Sequence, residues 1–295
     1  MDITLYLKEK RAIVEQALQD LISPEPRLAM HIDAMRYSLL AGGKRLRPIL
    51  CLATIETLHA DPTPLLPVVC ALECIHTYSL IHDDLPAMDN DELRRGKPTN
   101  HMVFGEAEAI LAGDGLLTYA FELISRPELS QTVTDHDRLR IVNIIARAAG
   151  PVGMVGGQSL DIAAEGKAVS LDQLRYIHNC KTGALITAAV QTGAVIGKAT
   201  DKQYQTLTVY GNAIGLAFQM VDDLLNIEGT SEQLGKAAGS DVERRKATYP
   251  SLLGLDKTKE LVKKTVADAV EVLSDFDSRA EPLRELAQYI LTRKR

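Results

Sequence analysis

The sequence contains no tryptophan, and aromatic residues make up only 4% of it. Sheet proteins lean on aromatic and β-branched side chains, so this scarcity favours helices. An excess of basic charge is also missing: 33 Lys and Arg against 39 Asp and Glu leave a net charge of −6. That sign does not suit a nucleic-acid binder, which carries a basic stripe. It leaves room for a small anionic ligand, which needs only a local cluster of Lys and Arg. Cysteine is sparse (Cys51, Cys70, Cys74 and Cys180), and Cys70 and Cys74 lack a second Cys/His pair at zinc-ligand spacing. These read as buried, reduced thiols of a cytosolic protein. Asp2, Lys8, Glu9, Lys10 and Arg11 crowd the N-terminus, which has no apolar stretch of the signal-peptide kind. No apolar run looks long enough to cross a bilayer. The expectation is a cytoplasmic protein with no membrane insertion and no nucleic-acid partner.

What is present is helical patterning. Leu5, Leu7, Ile13, Val14, Ala17, Leu18, Leu21 and Ile22 recur mostly at three- and four-residue steps, until Pro24 and Pro26 stop them. A second pattern runs over 30–40 and stops at Gly42-Gly43, and Pro48 suits the first turn of a third helix. The stretch 67–84 is almost unbroken apolar, which predicts a helix buried all round. Residues 85–103 read as a loop. Helices follow at about 104–125, 135–149, 171–197, 201–227, 256–275 and 281–293, with a glycine-rich helical stretch at 150–166. The polar, charged stretch 229–247 reads as a long loop of the kind that forms lids. No Ser/Gly/Pro linker divides the chain. The expectation is all-α, with residues 1–295 forming one domain.

Chemistry concentrates at a few places. His82-Asp83-Asp84-Leu85-Pro86-Ala87-Met88-Asp89-Asn90-Asp91-Glu92 crowds carboxylates at the end of an apolar helix. Such crowding is repulsive unless cations neutralise it. Mg²⁺ suits, because it takes one or two carboxylates plus phosphate oxygens. Asp83 and Asp89 are six apart and share no face of a straight helix, but Pro86 can end or bend the helix between them. Asp222-Asp223-Leu224-Leu225-Asn226 is a second group, with positions 222 and 226 on one face. Lys44, Arg45 and Arg47 follow a glycine pair, and Arg94-Arg95 lies past the acidic loop, where guanidinium groups suit diphosphate oxygens. Lys181-Thr182-Gly183 interrupts a helical pattern and can kink it. Lys236 and Lys246 fall in the polar loop. Singly, each of these also fits a plain role: a solvated acidic loop, a basic helix start, a surface ion pair.

Together they resemble the short-chain trans-isoprenyl diphosphate synthases over essentially the whole chain. The marks are Gly-Gly-Lys-Arg-Leu-Arg-Pro at 42–48, the run from His76 through Asp89, Arg94-Arg95-Gly96, Leu111-Ala-Gly-Asp114, Gly156-Gly-Gln158, Lys181-Thr-Gly-Ala184, Gln219 through Asp223, and Lys246-Ala-Thr-Tyr-Pro250. The resemblance implies a bundle of mostly antiparallel helices around a deep central cavity, assembled as a homodimer. It implies Mg²⁺-dependent head-to-tail condensation of isopentenyl diphosphate with an allylic diphosphate. Asp83 and Asp89, supported by Asp84, match the ligands of the first acidic motif, and Asp222 that of the second. Lys44, Arg47, His76 and Arg95 match the isopentenyl diphosphate site. Arg94, Lys181 and Lys236 match contacts to the allylic diphosphate, with Lys246 near the same pocket. Thr182 and Gln219 match residues beside the allylic carbon. Tyr78 and Ser79, just before the first motif, match the positions that gauge chain length, and an aromatic followed by a small residue suggests a fifteen-carbon product, farnesyl diphosphate. One departure is Asn226, where the family's second motif normally ends in a third aspartate. Two rival readings stay open: a metal-dependent phosphohydrolase using the His82-Asp83 dyad, and a non-catalytic paralogue that binds prenyl diphosphates.

Overall fold

Helical periodicity and its stop signals account for most of the architecture in the computed structural model, which describes residues 1–228 and 246–293. Helix α1 (Ile3–Leu21) starts at Asp2, whose carboxylate accepts the free amides of Thr4 and Leu5. It buries Val14 and Leu18 and ends before Pro24. Helices α2 (Ala29–Leu39), α3 (Leu46–Thr57) and α4 (Leu66–Asp83) follow. Pro48 and Pro67 sit in first turns, where a missing amide hydrogen is harmless. The expectation for α4 holds: Val68 through Ile75 are all buried, and Tyr78 and Ile81 with them.

The stretch 85–103 is more ordered than a loop. A two-stranded antiparallel hairpin pairs β1 (Leu93–Arg94) with β2 (Lys97–Pro98), and a short helix α5 (Asn100–Phe104) follows. Arg95 and Gly96 both have positive φ, 55° and 75°, the signature of a tight two-residue hairpin turn. Next come α6 (Glu106–Ser125), α7 (Asp135–Ala149), α8 (Met154–Ala164), α9 (Leu171–His178), α10 (Ala184–Ile196) and the long α11 (Asp201–Glu228). The expected helix over 171–197 is broken: Asn179–Gly183 form one turn of π-helix between α9 and α10. Helices α12 (Tyr249–Leu253), α13 (Leu255–Glu271) and α14 (Glu281–Thr292) complete the described chain.

The main packing pairs are α4 on α6, α10 on α11, α3 and α7, and α11 on α13. Short connections, such as 197–200 between α10 and α11, make successive helices antiparallel. One continuous buried cluster runs from Val14 to Ile290. The expectation about apolar runs needs correcting: Thr63–Asp83 and Asp135–Ala164 reach the length and hydropathy of a bilayer span, at mean hydropathies of 1.5 and 1.2. The first lies mostly buried in the bundle. The second is two helices joined by a turn at 150–153.

Candidate active site

Helix α4 ends at Asp83, and the chain turns straight back. Met88 and Asn90 donate their amides to the Leu85 carbonyl, and Asp89 donates its amide to the Asp83 carbonyl at 2.8 Å. The two aspartates six positions apart are thus brought beside each other by the turn through Pro86. Burial pushes the Asp83 carboxyl up to about 6; Lys181 and Arg94 oppose the rise, while Asp89 and Asp84 add to it. Asp84 points away into a fixed pair: Arg94 Nε donates to both its oxygens at 2.8 Å, and Nη2 to Oδ1 at 2.5 Å.

The glycine-rich basic loop reaches the site from the other side. Lys44 Nζ lies 5.4 Å from the centre of the Phe218 ring on α11. Arg47 is 8% exposed, its Nε lacks a hydrogen-bond partner, and burial pulls its guanidinium down to about 10 while Glu73 and Asp222 counteract. A guanidinium so far buried, with an unmet donor, is a group built for an anion. Arg95 donates to the Gly42 carbonyl, which ties the hairpin turn to this loop. Burial, then Arg47, Arg95, Arg94 and Arg45, hold the His76 imidazole well below its ordinary value, so it is neutral at pH 7.

The π turn forms the wall between these groups. Lys181 Nζ donates to Asp161 Oδ2 of α8 at 2.6 Å, and Lys246 Nζ lies 3.4 Å from the same oxygen, 3.5 Å from Asp89 and 3.8 Å from Glu165. Burial works against ionised Asp161, yet Lys181 and Lys246 hold its carboxyl below the usual range. Thr182 Oγ1 donates to Gln219 Oε1 at 2.9 Å, and Gln219 Nε2 to Asp223 Oδ1 at 2.9 Å. Two glycines permit this closeness. A Cβ on Gly157 would sit 2.3 Å from the Lys181 nitrogen, and one on Gly215 would sit 2.7 Å from the Gly183 Cα. Gly157 belongs to the Gly156-Gly157-Gln158 motif, whose sequence alone does not reveal this contact.

The second acidic group splits by role. Asp223 is 2% exposed and its Oδ2 accepts the Tyr249 amide at 2.9 Å, so it caps α12. Asp222 is more open; its Oδ1 accepts from Arg293 Nη2 at 2.5 Å, and that guanidinium stacks 3.8 Å over Phe218. Asn226 is 5% exposed. Below Asp83 on α4, Tyr78 is 5% exposed and meets His82 edge-on at 5.8 Å, and Ser79 Oγ donates to the His76 carbonyl. His82 Nε2 lies 3.0 Å from the Ile110 carbonyl. Lys236 lies outside the described residues, as do Lys294 and Arg295.

Sequence reasoning missed Asp161 and Glu73, and it placed Arg45 in the basic cluster without its pairing to Glu73. Asp161 follows Gln158 by three positions, so the motif quoted there stops just short of it. Among the described residues no three carboxylate, imidazole or thiol groups converge as a ready-made metal cage. A divalent cation held by one or two carboxylates and completed by phosphate oxygens needs no such cage. Asp83 and Asp89, hard oxygen donors crowded at a buried helix end, suit such a cation.

An all-α bundle that brings two acidic groups together with a cluster of cations, Arg47 buried among them, defines a class of enzyme that handles diphosphates. The profile of the polyprenyl synthetase family matches residues 29–287, and the chain belongs to that family. It is 48% identical over 293 residues to a farnesyl diphosphate synthase of Geobacillus stearothermophilus, covering 99% of this chain and 98% of the relative. It is 47% identical to a chloroplastic geranylgeranyl pyrophosphate synthase of Catharanthus roseus, covering 99% of this chain and 82% of the relative. Among solved structures, an apo FPP/GFPP synthase of Zymomonas mobilis superposes with a TM-score of 0.87 at 39% identity, over 98% of this chain and 99% of the other. The chain is therefore a prenyltransferase of the trans-prenyl diphosphate synthase type, condensing isopentenyl diphosphate with an allylic diphosphate. The phosphohydrolase reading falls with that membership.

Proposed function

We propose that the product is farnesyl diphosphate, made from dimethylallyl or geranyl diphosphate with Mg²⁺ as the metal. The observation that carries the chain length is the pair below the Asp83 end of α4: the small Ser79, one helical turn before Asp83, with the buried Tyr78 beside it. With the diphosphate held at Asp83, a growing tail runs down past this turn, and a filled position there stops it.

Asp83 and Asp89 would hold Mg²⁺ with Asp84 fixing Arg94 behind them, and Asp222 would hold it on the other side. Bound Mg²⁺ would neutralise the leaving diphosphate as a Lewis acid. Lys181, Arg94, Lys246 and, in the segment outside the described residues, Lys236 bind the allylic diphosphate. Lys44, Arg47, His76 and Arg95 bind the isopentenyl diphosphate. As the allylic carbon–oxygen bond breaks, positive charge develops on that carbon. The oxygens of Thr182 and Gln219, locked together by their hydrogen bond, face this charge without needing to reorganise. The carbon–carbon bond forms to the isopentenyl double bond, and the proton then lost passes to the departed diphosphate. A cation of this kind demands exclusion of water. Arg293, stacked on Phe218 and paired with Asp222, supports a role for the C-terminus in that exclusion.

The enzyme works as a homodimer in the cytoplasm. Exposed Met102, Val103, Ile110, Leu111, Leu139 and Val155 on α5 to α8 supply an apolar surface for the partner copy. The four cysteines are free, as a reducing compartment requires. Product analysis tests the chain length: labelled isopentenyl diphosphate with Mg²⁺ and geranyl diphosphate should yield farnesyl diphosphate. Accumulation of the twenty-carbon product instead would overturn that assignment and leave the reaction class intact.

A further inference from the structure

The three parts of the isopentenyl diphosphate site meet at a buried ion pair to which no role has been given. Glu73 lies on α4, one turn before His76, and is 1% exposed. Its Oε1 accepts from Arg45 Nη1 at 2.7 Å. Arg45 is itself 2% exposed; its Nη2 donates to the Leu39 carbonyl at 2.7 Å, and its Nε lies 3.6 Å from Glu15 on α1. The backbone at Arg45 is left-handed, with φ 53° and ψ 34°. Residues with a Cβ avoid that region, and one persists there only where its surroundings hold it.

The consequence for the neighbours is geometric. Arg45 turns inward to α4, while Lys44 reaches Phe218 and Arg47 comes within electrostatic reach of Asp222, both on α11. The same loop seats the hairpin: Arg95 donates to the Gly42 carbonyl, and its guanidinium lies where a Cβ on Gly43 would sit. Three guanidinium groups, of Arg45, Arg47 and Arg95, thus lie close together, and the Glu73 carboxylate acts on all three. Without an anion beneath them they would repel one another whenever the diphosphate is absent. A buried ion pair contributes little net stability compared with an apolar pair of the same volume, so stability alone does not account for it.

We infer that Glu73, acting through Arg45, is a positioning residue that presets Lys44, Arg47 and Arg95 for the diphosphate of isopentenyl diphosphate, an inference that rests on the site reading given above. Steady-state kinetics, varying each substrate separately, test it. Glu73→Gln should raise the KM for isopentenyl diphosphate about tenfold, with kcat and the KM for geranyl diphosphate changed by less than about threefold. The double variant Arg45→Met/Glu73→Leu removes both members of the buried pair at once and should melt near the wild type, yet keep the raised KM. It also carries the test if Glu73→Gln does not fold. A purely structural pair would shift both KM values and kcat together in Glu73→Gln and recover all three in the double variant, which would overturn the inference. Lys44→Ala separates the two levels. A raised KM for isopentenyl diphosphate in Lys44→Ala with none in the Glu73 variants removes the positioning role alone. No change in any of them removes the site reading itself.

Discussion

Asp83 is the residue at which function and stability pull apart. Its carboxyl is raised to about 6 by burial, so the folded, metal-free chain binds its proton more readily than the unfolded chain. Stability from this group is therefore lost as pH rises from the ordinary carboxylate value through about 6, and the penalty is fully present at pH 8. Asp83→Asn should stabilise the metal-free protein at pH 8 by about 1–2 kcal/mol, allowing for solvent screening of a half-buried group, and by nothing at pH 3.5. Turnover should fall by orders of magnitude in Asp83→Ala and Asp89→Ala, because leaving-group charge goes uncompensated. Thermal melts at the two pH values and rates with Mg²⁺ check both halves; near-normal rates would remove the metal assignment. His178 carries the opposite sign. Burial lowers its imidazole to about 4, so only the unfolded chain takes up a proton as pH falls from about 6.5 to 4. Stability is complete above that window and declines through it, by up to about 3 kcal/mol. Because the two groups oppose each other there, His178→Asn is compared with wild type across pH; its melting curve should be the flatter below pH 6.5.

Among the elements, α4 and the π turn each do a job that a regular helix at the same place would not. On α4, Ser79→Phe should shift product toward geranyl diphosphate, and Tyr78→Ala should admit chains longer than farnesyl. Chromatography of the dephosphorylated products reads this, and an unchanged distribution in both folded variants would refute the ruler. At the π turn, α8 approaches so closely that a methyl group at Gly157 would meet the Lys181 backbone at 2.3 Å. Gly157→Ala should therefore push α8 and the turn apart, at roughly 1–3 kcal/mol by overpacking, and lower activity by displacing Lys181 from Asp161. Loss of activity without any fall in melting temperature would contradict that packing account.

For the whole molecule, the apolar surface on α5 to α8 should be covered by a second copy. Sedimentation should give twice the mass of one chain, and the paired charges Leu111→Glu/Leu139→Glu should yield monomers, since a buried charge without a partner opposes association. Wild-type monomers at micromolar concentration would set the dimer aside.

Much of the architecture follows from local rules that a sequence carries openly. The period of the apolar residues, Asp2 as a cap, Pro48 and Pro67 in first turns and the stop at Gly42 depend only on neighbours a turn away. The convergence of Asp83 and Asp89 was legible for the same reason, because Pro86 ends the helix between them. The hairpin at 93–98 escaped because strands of two residues leave no period to detect, and Arg95 in a positive-φ turn position has no compositional mark. The pairing of Lys181 with Asp161, of Arg45 with Glu73 and of Asp222 with Arg293 joins residues 20, 28 and 71 positions apart. Glu73 in particular sits inside a stretch whose apolar character is its whole sequence signal. By itself the sequence determined the helices, their ends and the kinds of side chain available for diphosphate chemistry. Which carboxylate meets which cation, and which of them stay open to a ligand, was decided only by tertiary packing, because a buried charge takes its partner from whatever element is folded against it.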